Sequence, residues 1–139
     1  MRPIYETQDD RDREALVAKK VGDAFKCSMG KLQPRDAFDF AAMRGDKIVG
    51  FVEIKVRANP MGQYSTYMIS MTKLATAHAI FAATKTPCIL AVQWTDALGY
   101  IDMNAVDVTL KMGGRSDRND PRDIEPVCHI DISGFTLIR

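Results

Sequence analysis

Asp39 and the triplet Glu53-Ile54-Lys55 are the residues of this sequence best placed to do chemistry together. Thirteen residues lie between Asp39 and Glu53, and the stretch from Asp39 to Arg57 reads as two strands joined by a tight turn. Alternation along a strand puts Glu53 and Lys55 on the same face. Two carboxylates and a lysine converging on one sheet face can hold a divalent metal and activate water beside a phosphodiester. The spacing therefore points first to a metal-dependent nuclease.

The second strand divides by parity. Ile48, Gly50, Val52, Ile54 and Val56 form one apolar face. The other face begins with Val49 and Phe51 and then turns into Glu53, Lys55 and Arg57. One face is core throughout, while the second leaves the core partway along and enters a polar cleft. Burying a carboxylate or an ammonium without a partner is costly, so Glu53 and Lys55 must meet a metal, a substrate phosphate or each other. The bland alternative is a surface ion pair on an exposed sheet edge.

Strand register decides which aspartate joins them. A three-residue loop of Gly45, Asp46 and Lys47 pairs Arg44 with Ile48, and hence Asp39 with Glu53. A two-residue Gly45-Asp46 turn instead pairs Asp36 with Lys55 and turns Asp39 to the other face. A bulge reconciles either, so Asp36 stands as the competitor of Asp39.

The elements that must position these residues follow from local signals. Thr7-Gln8-Asp9-Asp10 has the form of a capping box, and a helix is predicted from about Gln8 to Phe25. Glu14, Val17, Ala18, Val21 and Phe25 fall on one stripe of it, so an acid sits on the apolar face. Such a broken local rule often marks a site. Strands are predicted over Cys27–Gln33, ended by Pro34, and then over Asp36–Met43 and Lys47–Arg57.

A turn-rich loop around Pro60 leads to a second helix, from Ser65 or Thr66 to Thr84. Its expected apolar side carries Met68, Met71, Ala75, His78, Ala79 and Ala82, with Lys73 on a different stripe. Cys88–Trp94 is a continuous apolar run, suited to a strand buried on both faces, and Leu98–Met103 resembles its hairpin partner. A polar loop is expected over about residues 111–126, and short strands over 127–138. The order gives an α/β fold with a mixed sheet flanked by helices, the second helix crossing over between parallel strands.

D-x13-E-x-K on a hairpin, an acid on the preceding helix and a helix just afterwards resemble the PD-(D/E)xK nuclease superfamily. That group holds restriction endonucleases, Holliday-junction resolvases and small phage nucleases. The likeness covers roughly Thr7 to Trp94, and Phe38 stands opposite the proline of the family name. The resemblance implies a restriction-endonuclease-like αβββαβ core and DNA as substrate. It further implies that Asp39, Glu53 and the Ile54 backbone carbonyl ligate Mg²⁺ or Mn²⁺. Lys55 would then act on the attacking water, and Glu14 would complete the site. A polar residue on the second helix often faces the site in this group, which makes Lys73 a candidate phosphate contact, joined by Arg57 and by Arg115 in the polar loop.

Composition bounds the rest. With 139 residues and 46% hydrophobic content, one domain spanning residues 1–139 is expected, its core at about 7–103. No apolar run is long enough to span a bilayer and no signal peptide is visible, so the expectation is an intracellular, soluble, cytoplasmic protein without a membrane partner, in keeping with a phage-encoded enzyme. Cys27, Cys88 and Cys128 lack metal-binding spacing and read as free thiols. A net charge of +1 neither favours nor excludes a polyanion. His78 and His129 read as structural. A homodimer would place two sites on a duplex, and the competing functional reading is a non-catalytic module that binds nucleic acid or protein on the same fold.

Overall fold

The computed structural model describes residues 7–114 and 124–139. Helix α1 (Gln8–Phe25) starts on the expected capping box. Thr7 Oγ1 accepts from the Asp10 amide at 3.1 Å, and the Asp10 carboxylate accepts from the Thr7 amide at 3.2 Å. Val17, Ala18 and Val21 are buried, and Glu14 is half-buried one turn before them.

An antiparallel meander follows, of β1 (Ser28–Lys31), β2 (Phe40–Arg44) and β3 (Lys47–Val56). β2 starts later than the predicted Asp36. Pro34 removes a ladder donor, and the Asp36 carboxylate accepts the Gln33 amide at 2.8 Å, which ties this segment into a turn.

The predicted second helix is two elements. Thr66–Ser70 form strand β4, and helix α2 runs from Met71 to Thr84. Tyr67 and Ile69 are buried while Met68 between them is exposed, which is strand alternation. Ser70 then caps the helix, its hydroxyl accepting the Lys73 amide at 3.2 Å. The late start also changes the buried stripe. Leu74 and Ala77 are buried and Lys73 and Ile80 half-buried, whereas Met68, Met71, Ala75, His78, Ala79 and Ala82 of the expected stripe are exposed.

β5 (Cys88–Gln93) pairs with β3 in parallel, so α2 is the crossover, as expected. β6 (Leu98–Asp102) returns antiparallel to β5. The predicted polar loop is framed by strands instead: β7 (Thr109–Gly114) pairs with β8 (Ile124–Asp131), which also pairs with β4. Main-chain hydrogen bonds to β8 decide these flanks against their polar side chains. β9 (Thr136–Ile138) joins the free edge of β6.

Two sheets result, a six-stranded one in the order β1-β2-β3-β5-β6-β9 and a three-stranded one in the order β4-β8-β7. The large sheet is mixed and buries both faces. On one side Val17, Ala18 and Val21 of α1 pack on Phe40, Ala42, Val52, Ile54 and Ala91. On the other, Leu90, Val92 and Ile101 meet Leu74 and Ala77 of α2 and Tyr67, Ile69 and Ile130 of the small sheet. β5 thus feeds both cores, as its unbroken apolar run requires. Among the described residues no helix is long and apolar enough to cross a membrane.

Candidate active site

The site forms where β2 peels away from β3. At the turn Arg44 pairs with Lys47 and Met43 with Ile48, so the loop is the two-residue Gly45-Asp46. Gly45 has φ +63°, the left-handed conformation that such turns need at their first position and that glycine adopts without strain. The register then slips: Ala42 pairs with Gly50, Ala41 with Phe51 and Phe40 with Val52, leaving Val49 as the extra residue of a bulge. The paired register ends there, and Asp39, the next residue, brings its carboxylate beside that of Glu53. The short turn alone would have selected Asp36, and the bulge restores Asp39. Asp36 is exposed and engaged in its own turn, away from Glu53.

Asp39 is held at both ends. Its amide donates to the Val52 carbonyl at 3.1 Å, and its carbonyl accepts the Leu32 amide at 2.9 Å. Its carboxylate oxygen Oδ2 accepts the Ile54 amide at 2.8 Å, replacing the backbone partner that β2 no longer supplies. The carbonyl of a strand residue faces the same neighbour as its amide, so the Ile54 carbonyl lies on the Asp39 edge of β3.

Glu53 is the one buried charged or polar residue among the described residues, at 6% exposure. Lys73 Nζ lies 3.1 Å from its Oε2 and Lys55 Nζ 3.9 Å. Lys73 also donates to the Ala37 carbonyl and lies 4.9 Å above the Phe38 ring, so buried Phe38 forms the wall beneath the ammonium. Burial and the neighbouring Asp39 charge push the Glu53 carboxyl up to about 7, against the pull of Lys55 and Lys73. Because β3 is central and Glu53 is buried, the pair is no exposed-edge ion pair.

Lys55 is more exposed, at the end of the strand. It lines a cleft of about 650 Å³ with Arg57, Ile54, Asp10, Arg13 and Glu14. Glu14 is ion-paired with Lys31 of β1. Among the described residues no three His, Cys, Asp or Glu side chains gather closely enough to hold an ion, so Glu14 stands apart from the Asp39–Glu53 pair and borders the cleft that Lys55 enters. Arg57 lies over the Tyr67 ring at 5.4 Å. Arg115 lies outside the described residues.

The two histidines are engaged in other contacts. His129 Nδ1 is 2.9 Å from Thr66 Oγ1, and His78 Nε2 donates to the Met103 carbonyl at 3.1 Å. The cysteines are free, and burial raises the Cys88 thiol to about 11, which leaves it protonated and unreactive near neutrality. Sequence reading underrated Lys73. Ser70 was the missed signal: as N-cap it starts the helix at Met71 and puts Lys73 on the buried side with Ala77 and Ile80.

A family model described as phage putative PDDEXK endonuclease matches residues 1–138. The chain belongs to this family. The superfamily resemblance read from the hairpin is thereby borne out, and the family is one of nucleases. Among solved structures the chain is similar to Hjc, a Holliday junction resolvase from the archaeal hyperthermophile Archaeoglobus fulgidus. The TM-score is 0.58 at 12% identity, over 91% of this chain and 92% of that one. At such identity the likeness concerns the fold, which is of the resolvase type. No curated protein matches the chain in sequence.

Proposed function

We propose that this member of the endonuclease family hydrolyses DNA phosphodiester bonds at the Asp39–Glu53 corner with the help of Mg²⁺ or Mn²⁺. One observation supports the reading above all others: a buried carboxylate, Glu53, is held beside a second carboxylate and between two lysines. Membership of a PDDEXK family and the resolvase-like fold agree with it.

The donor set fits a hard divalent cation. The Asp39 charge adds to the cost of ionising Glu53, and a cation between the two relieves it. Asp39, Glu53 and the Ile54 carbonyl would hold the ion, with Glu14 reaching it only through water. When bound, the ion polarises the phosphoryl oxygen and lowers the pKa of water.

The chain's own residues do the rest. Lys55, on the Glu53 face and open to solvent, orients the attacking water and steadies charge developing on the phosphate. Lys73 restrains the Glu53 carboxylate and adds positive charge behind the site. Arg57 reaches a neighbouring backbone phosphate. Titration calorimetry with Mn²⁺ tests the ligand assignment. Wild-type and Lys55→Ala protein should bind the ion, while Asp39→Asn and Glu53→Gln should weaken binding at least about tenfold with far-ultraviolet dichroism unchanged. Equal affinity in all four proteins would remove Asp39 and Glu53 from the site.

A further inference from the structure

A second cleft opens next to this corner, on the face of β3 that bears Glu53. Its volume is about 430 Å³, within the roughly 300–1,000 Å³ typical of small-molecule pockets. Arg57 forms one side. Strand rise places it about 7 Å beyond Lys55 on the same face. Trp94 and Ile132 give an apolar floor, and Tyr64, 61% exposed, stands at the rim.

The walls are fixed in advance. The Met61 amide donates to Asp96 Oδ1 at 2.9 Å, and the Thr95 amide donates to the Asn59 carbonyl at 3.2 Å, which pins the 59–63 turn against the turn between β5 and β6. Two polar side chains of the lining, Tyr67 and His129, retain hydrogen-bonding capacity. The buried Tyr67 hydroxyl has only the neighbouring Arg57 guanidinium near it and makes no close hydrogen bond, so it can accept or donate to a ligand. His129 spends Nδ1 on Thr66, which leaves Nε2 for a ligand.

We propose that this cleft receives the base of an unpaired nucleotide adjoining the phosphate that is cut, an inference that rests on the nuclease reading above. The composition suits a nucleobase. A flat apolar body stacks on aromatic rings, its polar edge meets a hydroxyl and an imidazole, and a guanidinium takes the phosphate attached to it. A fully paired duplex cannot fill the cleft without breaking a base pair, so the site selects flaps, bulges, gaps or single strands over intact duplex.

Fluorescence of 2-aminopurine tests this without any cleavage. The probe base is placed unpaired at a flap, and in a second oligonucleotide paired within a duplex. Binding is followed in EDTA and again in Ca²⁺. Wild-type protein should change the emission of the unpaired probe, and affinity for flap over duplex should fall about tenfold in Tyr64→Ala, whose exposed side chain is dispensable for folding. Tyr67→Phe, which keeps the ring and removes only the hydroxyl, should also lower that ratio. An unchanged probe signal, an unchanged ratio in both variants, or no binding to either oligonucleotide overturns the proposal. Because the readout is binding, loss of metal-dependent cleavage leaves the subsite standing, and a silent probe leaves the nuclease reading standing.

Discussion

At Glu53, burial and the Asp39 charge act against two lysines, and burial wins. A carboxyl that titrates at about 7 in the native state and near 4.5 when unfolded keeps its proton longer in the native state. Between those values the native state binds more protons, so this group's contribution to stability falls as pH rises through the window. Below about 4.5 it costs nothing, and above about 7 the full penalty applies. Glu53→Gln should therefore melt at a higher temperature than wild type at about pH 8 in EDTA, with the gap closing towards about pH 5. Parallel melting profiles across that range would show that Lys55 and Lys73 fully compensate the buried charge. Saturating Mn²⁺ should narrow the gap at high pH by stabilising the wild-type carboxylate.

At the scale of elements, the hairpin explains why Asp39 comes to lie beside Glu53 and Asp36 does not. Its two-residue turn sets one register at the tip, and the bulge shifts it by one residue before β2 ends at Phe40, next to Asp39. The strands, the capping box of α1 and the two-faced burial of β5 were legible because each rests on a local pattern: parity, a cap or an unbroken apolar run. The Val49 bulge was not, since no side chain announces a slipped register. β4 and the start of α2 were misread because Thr66–Ser70 can extend a helical pattern as easily as a strand, and β8, distant in sequence, makes the choice. That error also hid Lys73. The join between α1 and β1 is equally constrained. A Cβ on Gly22 would meet the Cys27 carbonyl oxygen at 2.8 Å and Met29 Cγ at 2.9 Å. Gly22→Ala should cost about 1–3 kcal/mol and lower the melting temperature by several degrees. A melting temperature within error of wild type would mean that the α1–β1 turn yields.

In the whole molecule, the large sheet separates two cores, and the candidate site lies at the edge where β2 ends, α2 begins and the end of β3 emerges from both. A buried acid at such a corner can stay close to solvent and substrate while its supports stay fixed. The 12% identity to a resolvase of similar fold shows how little of the sequence this framework dictates. The decisive measurement is cleavage of labelled linear, circular, single-stranded and branched DNA with Mn²⁺ and with EDTA, by wild type, Glu53→Ala and Lys55→Ala. Wild type should cut at least one form in Mn²⁺ and none in EDTA, with branched or single-stranded forms cut faster than intact duplex. Both folded variants should lose at least about a hundredfold in rate. Cleavage that persists in EDTA, or at the wild-type rate in both variants, would contradict the assignment of this corner as the active site.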